Sequence, residues 1–312
     1  MMKNLKGGIT RRHFTMSGMA GLAAMALPAQ VFASTRDLGE GRLFSFSDGD
    51  MNLPVQSVFA EVSAAERDKF VAAAGVTDGR WRRAVNVNLL EIGDRKILFD
   101  VGAGKNFLPS LGELQSALEA ANVDTGSITD VVFTHAHPDH IWGIFDDFDD
   151  LLMPDATYHI SRAEWDFWDS DRAMAAMPPG RESFAVGAKS RFDALRDSIT
   201  LFSPGDEFLP DIEAVDTSGH TPGHASFLIH QPSGSVLIAG DALTHPLISF
   251  MHPDWMNPAD MDGAAAAAAR KTLLGRLAHE KIDLAATHLP SPGFGRVEQY
   301  QSSWRYIAHD AP

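Results

Sequence analysis

The run His135-Ala136-His137-Pro138-Asp139-His140 places three imidazoles and one carboxylate within six residues. Neutral imidazole nitrogen and carboxylate oxygen are the donor types that suit zinc, iron, manganese and related ions. Packed together without a cation, such groups would crowd one another and bring the core nothing in return. The preceding Asp130-Val131-Val132-Phe133-Thr134 is apolar and β-branched, so it reads as a short buried strand. The cluster therefore starts where a strand ends. Alternate side chains of extended backbone share a face, which lets His135 and His137 grip one ion. Asp139 and His140 follow where the chain turns, and are free to address a second.

Further donors sit after other strand-like runs. Ser218-Gly219-His220-Thr221-Pro222-Gly223-His224 follows residues 212–216, and its glycines and proline allow a tight loop that aims a side chain inward. Asp241 ends the apolar run 236–240, and His288 follows residues 282–286. Each alone is an ordinary strand-end residue. Their joint occurrence beside a cluster that needs partners gives them weight.

Composition narrows the class. The chain has 312 residues, 45% hydrophobic and 21% charged, as soluble globular proteins do. Its formal charge is −15. The first thirty-three positions hold Lys3, Lys6, Arg11 and Arg12 but no acid, so the remainder carries 22 basic against 41 acidic residues, a charge of −19. That surface disfavours nucleic acid and anionic membranes as partners, and none is expected. The N-terminus reads as a twin-arginine signal over residues 1–33: Thr10-Arg11-Arg12-His13-Phe14, an apolar stretch from Met16 to Leu27, and small residues before a cleavage point after Ala33. The apolar stretch falls short of the roughly twenty residues that span a bilayer, so no stable membrane insertion is expected. The expected address is the periplasm, reached through the twin-arginine export machinery. The absence of cysteine fits an oxidising compartment and excludes disulfides and thiolate ligands.

Residues 34–312 read as a single domain, with no linker and no repeat. Strand-like runs fall at 55–62, 85–92, 96–101, 131–134, 157–160, 212–216, 226–230, 236–239 and 282–286. Helix-like runs fall at 108–121, 141–148, 162–168, 184–198 and 260–280, and Gly93-Asp94 reads as a hairpin turn. Sheet layers with helices packed outside follow from this mixture.

Taken in order, His135-Ala-His137-Pro-Asp139-His140, Gly219-His220-Thr-Pro-Gly-His224, Gly240-Asp241 and His288 resemble the metallo-β-lactamase-fold hydrolases, as does Leu98-Phe99-Asp100-Val101-Gly102 upstream. The resemblance runs from about residue 80 to 300. It implies an α/β (α+β) fold, an αββα sandwich with a dinuclear metal site at the edge between two sheets. It further implies that His135, His137 and His220 hold one ion, that Asp139, His140 and His288 hold the other, and that Asp241 bridges them. Asp100 would orient a ligand, and His224 would be structural. The cofactors would be two divalent ions, zinc foremost, with manganese, iron or cobalt as alternatives. A hydroxide shared between them would attack an electrophilic carbonyl or phosphoryl centre, and Asp139 would take or relay a proton.

Within the fold, the match is nearest to the methyl parathion hydrolase-like group, which shares the exported precursor and the His288-Leu289-Pro290-Ser291-Pro292-Gly293-Phe294-Gly295 stretch. That group implies an aromatic substrate pocket formed here by Phe107, Trp168 and Phe184. A neutral ester, aryl ester or lactone is the expected substrate, phosphotriesters a side reaction, and a homodimer the state common among relatives. Acyl-homoserine-lactone lactonases carry a tyrosine three residues past the bridging aspartate, where this chain has Thr244. A thioesterase or a mono-iron sulfur dioxygenase-type oxidoreductase of the same fold is the alternative reading.

Overall fold

Alternating burial along the strands sorts the chain into layers. The computed structural model describes residues 34–309 except Glu61, so the signal segment expected at residues 1–33 lies outside the described residues. One sheet runs in chain order through β1 (Ser34–Asp37), β2 (Gly41–Pro54), β3 (Arg80–Ile92), β4 (Arg95–Phe99), β5 (Asp130–Val132), β6 (Thr157–Ser161) and β7 (Ile199–Phe202). The other contains β8 (Glu207–Leu209), β9 (Ile212–Asp216), β10 (Ala225–Ile229), β11 (Val236–Ile238), β12 (Asp283–Ala285), β13 (Phe294–Tyr300) and β14 (Ser303–Ala308), in the spatial order β14 to β8. The helices are α1 (Val55–Val58), α2 (Ala64–Ala73), α3 (Leu114–Ala120), α4 (Pro138–Ile141), α5 (Arg162–Trp168), α6 (Asp171–Ala176), α7 (Glu182–Leu195), α8 (Ile248–Met251) and α9 (Gly263–Glu280).

Strand periodicity of two then feeds three cores. Ile97, Phe99 and Val132 meet Phe227, Ile229, Val236 and Ile238 between the sheets. Leu98 and Val131 point the other way, onto Leu118, Trp168 and Phe192 of the outer helices. Leu228 and Leu237 turn out of the second sheet onto Leu273, Leu274 and Leu277 of α9. The result is helix, sheet, sheet, helix, the αββα order expected. Gly93 takes φ +58° in the β3–β4 hairpin, as the Gly93-Asp94 signal requires. Among the described residues no helix is long and apolar enough to cross a membrane.

Some expected elements fall elsewhere. Residues 55–62 are not a strand: β2 stops at Pro54 and Val55 opens α1, whose Val58 packs with Phe59 and Trp81 in a satellite cluster. Their apolar character serves that cluster rather than a ladder. No helix spans 141–148 either. Helix starts three residues earlier at Pro138, whose fixed φ suits a first turn, and gives way to a 3₁₀ turn at Trp142–Ile144. Gly143 explains the break, since a Cβ there would lie 2.0 Å from the Val101 carbonyl oxygen. Close approach of these two segments is what brings the His135–His140 loop down onto the end of β4.

Near the satellite cluster, His245 Nδ1 accepts from Leu247 N and Ile248 N, both at 3.1 Å, while Trp81 stacks on its ring at 4.3 Å. Burial, reinforced by the Arg83 charge, pushes the His245 pKa down to about 3; an unfolded chain would hold it near 6.5. Between those values the unfolded chain takes up a proton that the folded one refuses, so stability falls as pH drops from about 6.5 towards 3. The carboxamide oxygen of His245→Asn can accept the same two amides. Urea melts across this window should show a flatter pH dependence in the variant. An unchanged slope would move the acid sensitivity to another group.

Candidate metal centre

All the expected donors leave the carboxyl ends of strands. His135, His137, Asp139 and His140 follow β5 of the first sheet; His220, Asp241 and His288 follow β9, β11 and β12 of the second. All seven are buried. Three sets have their donor atoms within 4.8 Å of one another: His135, His137 and His220; His135, His140 and Asp241; and Asp139, His140 and His288.

Four of the five rings are turned by a partner behind them. His140 Nδ1–H donates to Asp100 Oδ2 at 2.8 Å, His220 Nδ1–H to Asp260 Oδ1 at 2.9 Å and His288 Nδ1–H to the Ala84 carbonyl at 2.8 Å. His135 Nδ1 lies 3.0 Å from Thr134 Oγ1, whose own proton goes to Asp100 Oδ2 at 2.9 Å. These bonds fix the tautomers and leave Nε2 facing inward, the arrangement that makes imidazole a good ligand. His137 is reversed and offers Nδ1, 3.0 Å from both His135 Nε2 and His220 Nε2. Donors around one tetrahedral zinc stand about 3.3 Å apart, so this triangle has the right size.

Asp241 joins the halves. Its Oδ2 is 3.2 Å from His220 Nε2, and its Oδ1 is 3.2 Å from His140 Nε2 and 3.1 Å from His288 Nε2. Asp139 Oδ2 lies 3.2 Å from His288 Nε2 and 3.5 Å from His140 Nε2. His140 Nε2 and Asp241 Oδ1 are fully buried, yet neither makes a directed hydrogen bond among the described residues. Two orphaned polar atoms aimed at one space, with nitrogen and carboxylate donors around them, fit a pair of divalent cations.

Electrostatics follow the geometry. Burial and the neighbouring imidazoles push His135 and His137 well below the usual histidine range, so their lone pairs are free. Burial also opposes charge on His140 and His288, but Asp241 and Asp139 outweigh it, raising His140 well above that range and His288 to about 9. Despite burial, Asp139 and Asp241 are held below the carboxylate range by these same rings.

Sequence reasoning missed three residues here. Asp260, 40 residues past His220, orients it while also accepting from Asn257 N and Arg270 Nη2, each at 3.1 Å. Ala84 holds His288 through its backbone alone. Glu164 of α5 is fully buried and ties two donor loops together: Oε1 accepts from Ala136 N at 2.9 Å and Trp168 Nε1 at 2.6 Å, Oε2 from Thr221 Oγ1 at 2.8 Å and Gly223 N at 2.9 Å. Gly219, at φ +125°, lets the His220 loop press on the start of α9, where a Cβ would meet Ala266 N at 2.2 Å. His224, read as structural, accepts from Asp241 N at 2.9 Å, and its Nδ1–H faces Thr217 Oγ1 at 2.8 Å.

The three aromatic residues expected around the substrate all reach His137 or one another. Trp168 and Phe184 each have ring centroids 5.8 Å from His137, and Phe107 stands 5.8 Å from Phe184. Trp168 is 1% exposed and its ring stands nearly perpendicular to that of His137, whereas Phe107 and Phe184 are half-buried. A cavity of about 510 Å³ adjoins His288, lined by Trp81, Arg82, Ala84, Asn86 and Pro290 among others.

Known structures share this frame. The dizinc quorum-quenching lactonase AidC, solved with the product N-hexanoyl-L-homoserine, is 27% identical with a TM-score of 0.84, covering 89% of this chain and 97% of its own. The hydrolase AbOPH is 23% identical with a TM-score of 0.83 at the same coverage. A probable metal-dependent hydrolase from Staphylococcus aureus is 16% identical, with a TM-score of 0.73 over 88% of this chain and 99% of its own. No curated protein matches the chain. The family model of the metallo-beta-lactamase superfamily matches residues 80–288, about two thirds of the chain. Fold, donor set and this match agree: the chain belongs to the metallo-beta-lactamase superfamily.

Proposed function

We propose that the protein is a dinuclear zinc hydrolase of neutral esters or lactones, exported to the periplasm, with phosphotriesters as a side activity in keeping with its likeness to the methyl parathion hydrolase-like group. One observation carries the reading: seven buried donors form two clusters with Asp241 reaching both. His135, His137 and His220 would hold one ion, and Asp139, His140 and His288 the other. When bound, such a pair acidifies water and polarises the oxygen that gains charge during hydrolysis. The chain's own residues do the rest. Asp100, Asp260 and Ala84 keep the rings aimed. Asp139, ionised and set against His140 and His288, is the group to accept and pass a proton. Phe184 beside His137, with Phe107 packed against it, offers half-buried rings for an apolar acyl or aryl part. The lactone half of the reading draws support from the 27% identical lactonase.

Metal analysis with a hydrolysis screen over aryl esters, lactones, thioesters and phosphotriesters tests it. Two ions per chain and turnover of an ester or lactone are expected. A single iron with oxygen consumption would overturn it. His140→Ala should bring occupancy towards one ion and cut hydrolysis by about 100-fold or more, since it removes a ligand rather than an orienting partner. Near-normal turnover with one ion would end the two-metal mechanism.

A further inference from the structure

Arg83 is the oddest charge in the molecule. It sits on β3 one residue before Ala84, whose carbonyl holds His288. It is 8% exposed, yet its Nε–H has no partner among the described residues. Burial lowers its pKa, and the acids that counter this, Asp241, Asp139 and Asp260, act on it only through space. A guanidinium cannot escape by losing its proton. Arg270, which lines the same small cavity, shows what this core normally provides. Its Nε donates to Ala242 O, Nη1 to Pro253 O and Trp255 O, and Nη2 to Asp260.

A second orphan stands nearby. His245 Nδ1 accepts two backbone amides, so its ring proton is on Nε2, and that buried N–H also lacks a partner among the described residues. Arg83, His245, Thr244 and Asn257 border a cavity of about 20 Å³. One water needs roughly 10–15 Å³ of such space, so the cavity has room for one oxygen-sized group and not for a whole ligand. Cations held by Asp139 and Asp241 would also cancel the field that these carboxylates exert on Arg83. The guanidinium then needs an oxygen acceptor, preferably an anionic one.

We propose that Arg83, with His245 Nε2–H beside it, is a receptor for the acyl oxygen of the substrate and for the carboxylate that hydrolysis leaves on the acyl product. The substrate half rests on the hydrolase reading; carboxylate binding does not.

The test uses the metal-loaded protein and butyrate, with butyramide as the neutral probe, in calorimetric titrations of wild type, Arg83→Met and Arg83→Lys at measured metal content. Butyrate should bind the wild type more tightly than butyramide. Arg83→Met should weaken butyrate by at least about tenfold, the low end for a hydrogen bond to a charged group, and should weaken butyramide, which offers only a neutral carbonyl oxygen, by less. Arg83→Lys should recover part of the loss. Equal butyrate binding in wild type and Arg83→Met at equal metal content would overturn the receptor. Should Arg83→Met not fold, the wild type decides alone: the Arg83 Nε–H resonance must shift on butyrate addition, and a static signal refutes the assignment. A protein that hydrolyses no ester yet shows Arg83-dependent butyrate binding keeps the receptor and loses the hydrolase reading. Unchanged KM and product inhibition in Arg83→Met, with hydrolysis intact, would remove the receptor alone.

Discussion

Asp241→Ala should leave the protein folded but unable to hold its metal pair, with ester or lactone hydrolysis reduced far beyond the roughly 10–100-fold typical of losing an orienting partner. Among the described residues its carboxylate alone lies within about 3.2 Å of His140, His220 and His288 together. Removing it uncouples the clusters and takes away the negative charge that two adjacent cations require. The His135, His137 and His220 triangle is intact in the variant, so a residual single ion of weaker affinity is expected there. Metal content after dialysis, read beside hydrolysis rates, checks both parts. Two ions retained per chain would remove Asp241 from the joining role.

Glu164→Ala should be the most destabilising single change in the region, and its effect should appear first in stability. Ala136 N, Gly223 N and Trp168 Nε1 can only donate, so the carboxylate must accept, and all four of its bonds lie in a buried site. Alanine leaves those donors unpaired at about 1–3 kcal/mol each. Several kcal/mol is a large share of a typical folding free energy of about 5–15 kcal/mol. Because Ala136 lies between two donor histidines and Thr221 follows a third, the loss should also loosen the triangle. Glu164→Gln keeps the shape but turns an amide towards at least one donor, so it should fall between. Urea unfolding with zinc competition would show the linkage. A variant as stable as wild type with loose zinc, or stable and tight, would refute the clamp.

How much of this could be read in advance depends on how local each signal is. The His135–His140 loop announced itself because four donors stand together at a strand end. His220, Asp241 and His288 were legible for the same reason, each closing an apolar β run. Asp260 and Glu164 were not: each is a single acid whose partners lie up to 59 residues away, and a lone acid in sequence reads as solvated surface. Arg83 stands in the basic run Arg80-Trp81-Arg82-Arg83, and nothing in that run distinguishes the one arginine that β3 buries. All of β2 also escaped, since Ser45, Ser47 and Asp48 break its alternation while buried Asp48 accepts from Ala103 N and Leu114 N. The helix expected at 141–148 failed on a tertiary contact, the Gly143–Val101 approach, that no local pattern carries.

The seam between the sheets acquires a mechanical meaning from where the donors originate. One half of the ligand set hangs from the first sheet and the other from the second, so bound ions act as rivets through the sandwich. Occupancy at 1,000 times Kd would add about 4 kcal/mol to the folded state, and that energy would oppose parting of the two sheets specifically. Loss of metal would then loosen the sandwich along its interior before it unravels either layer.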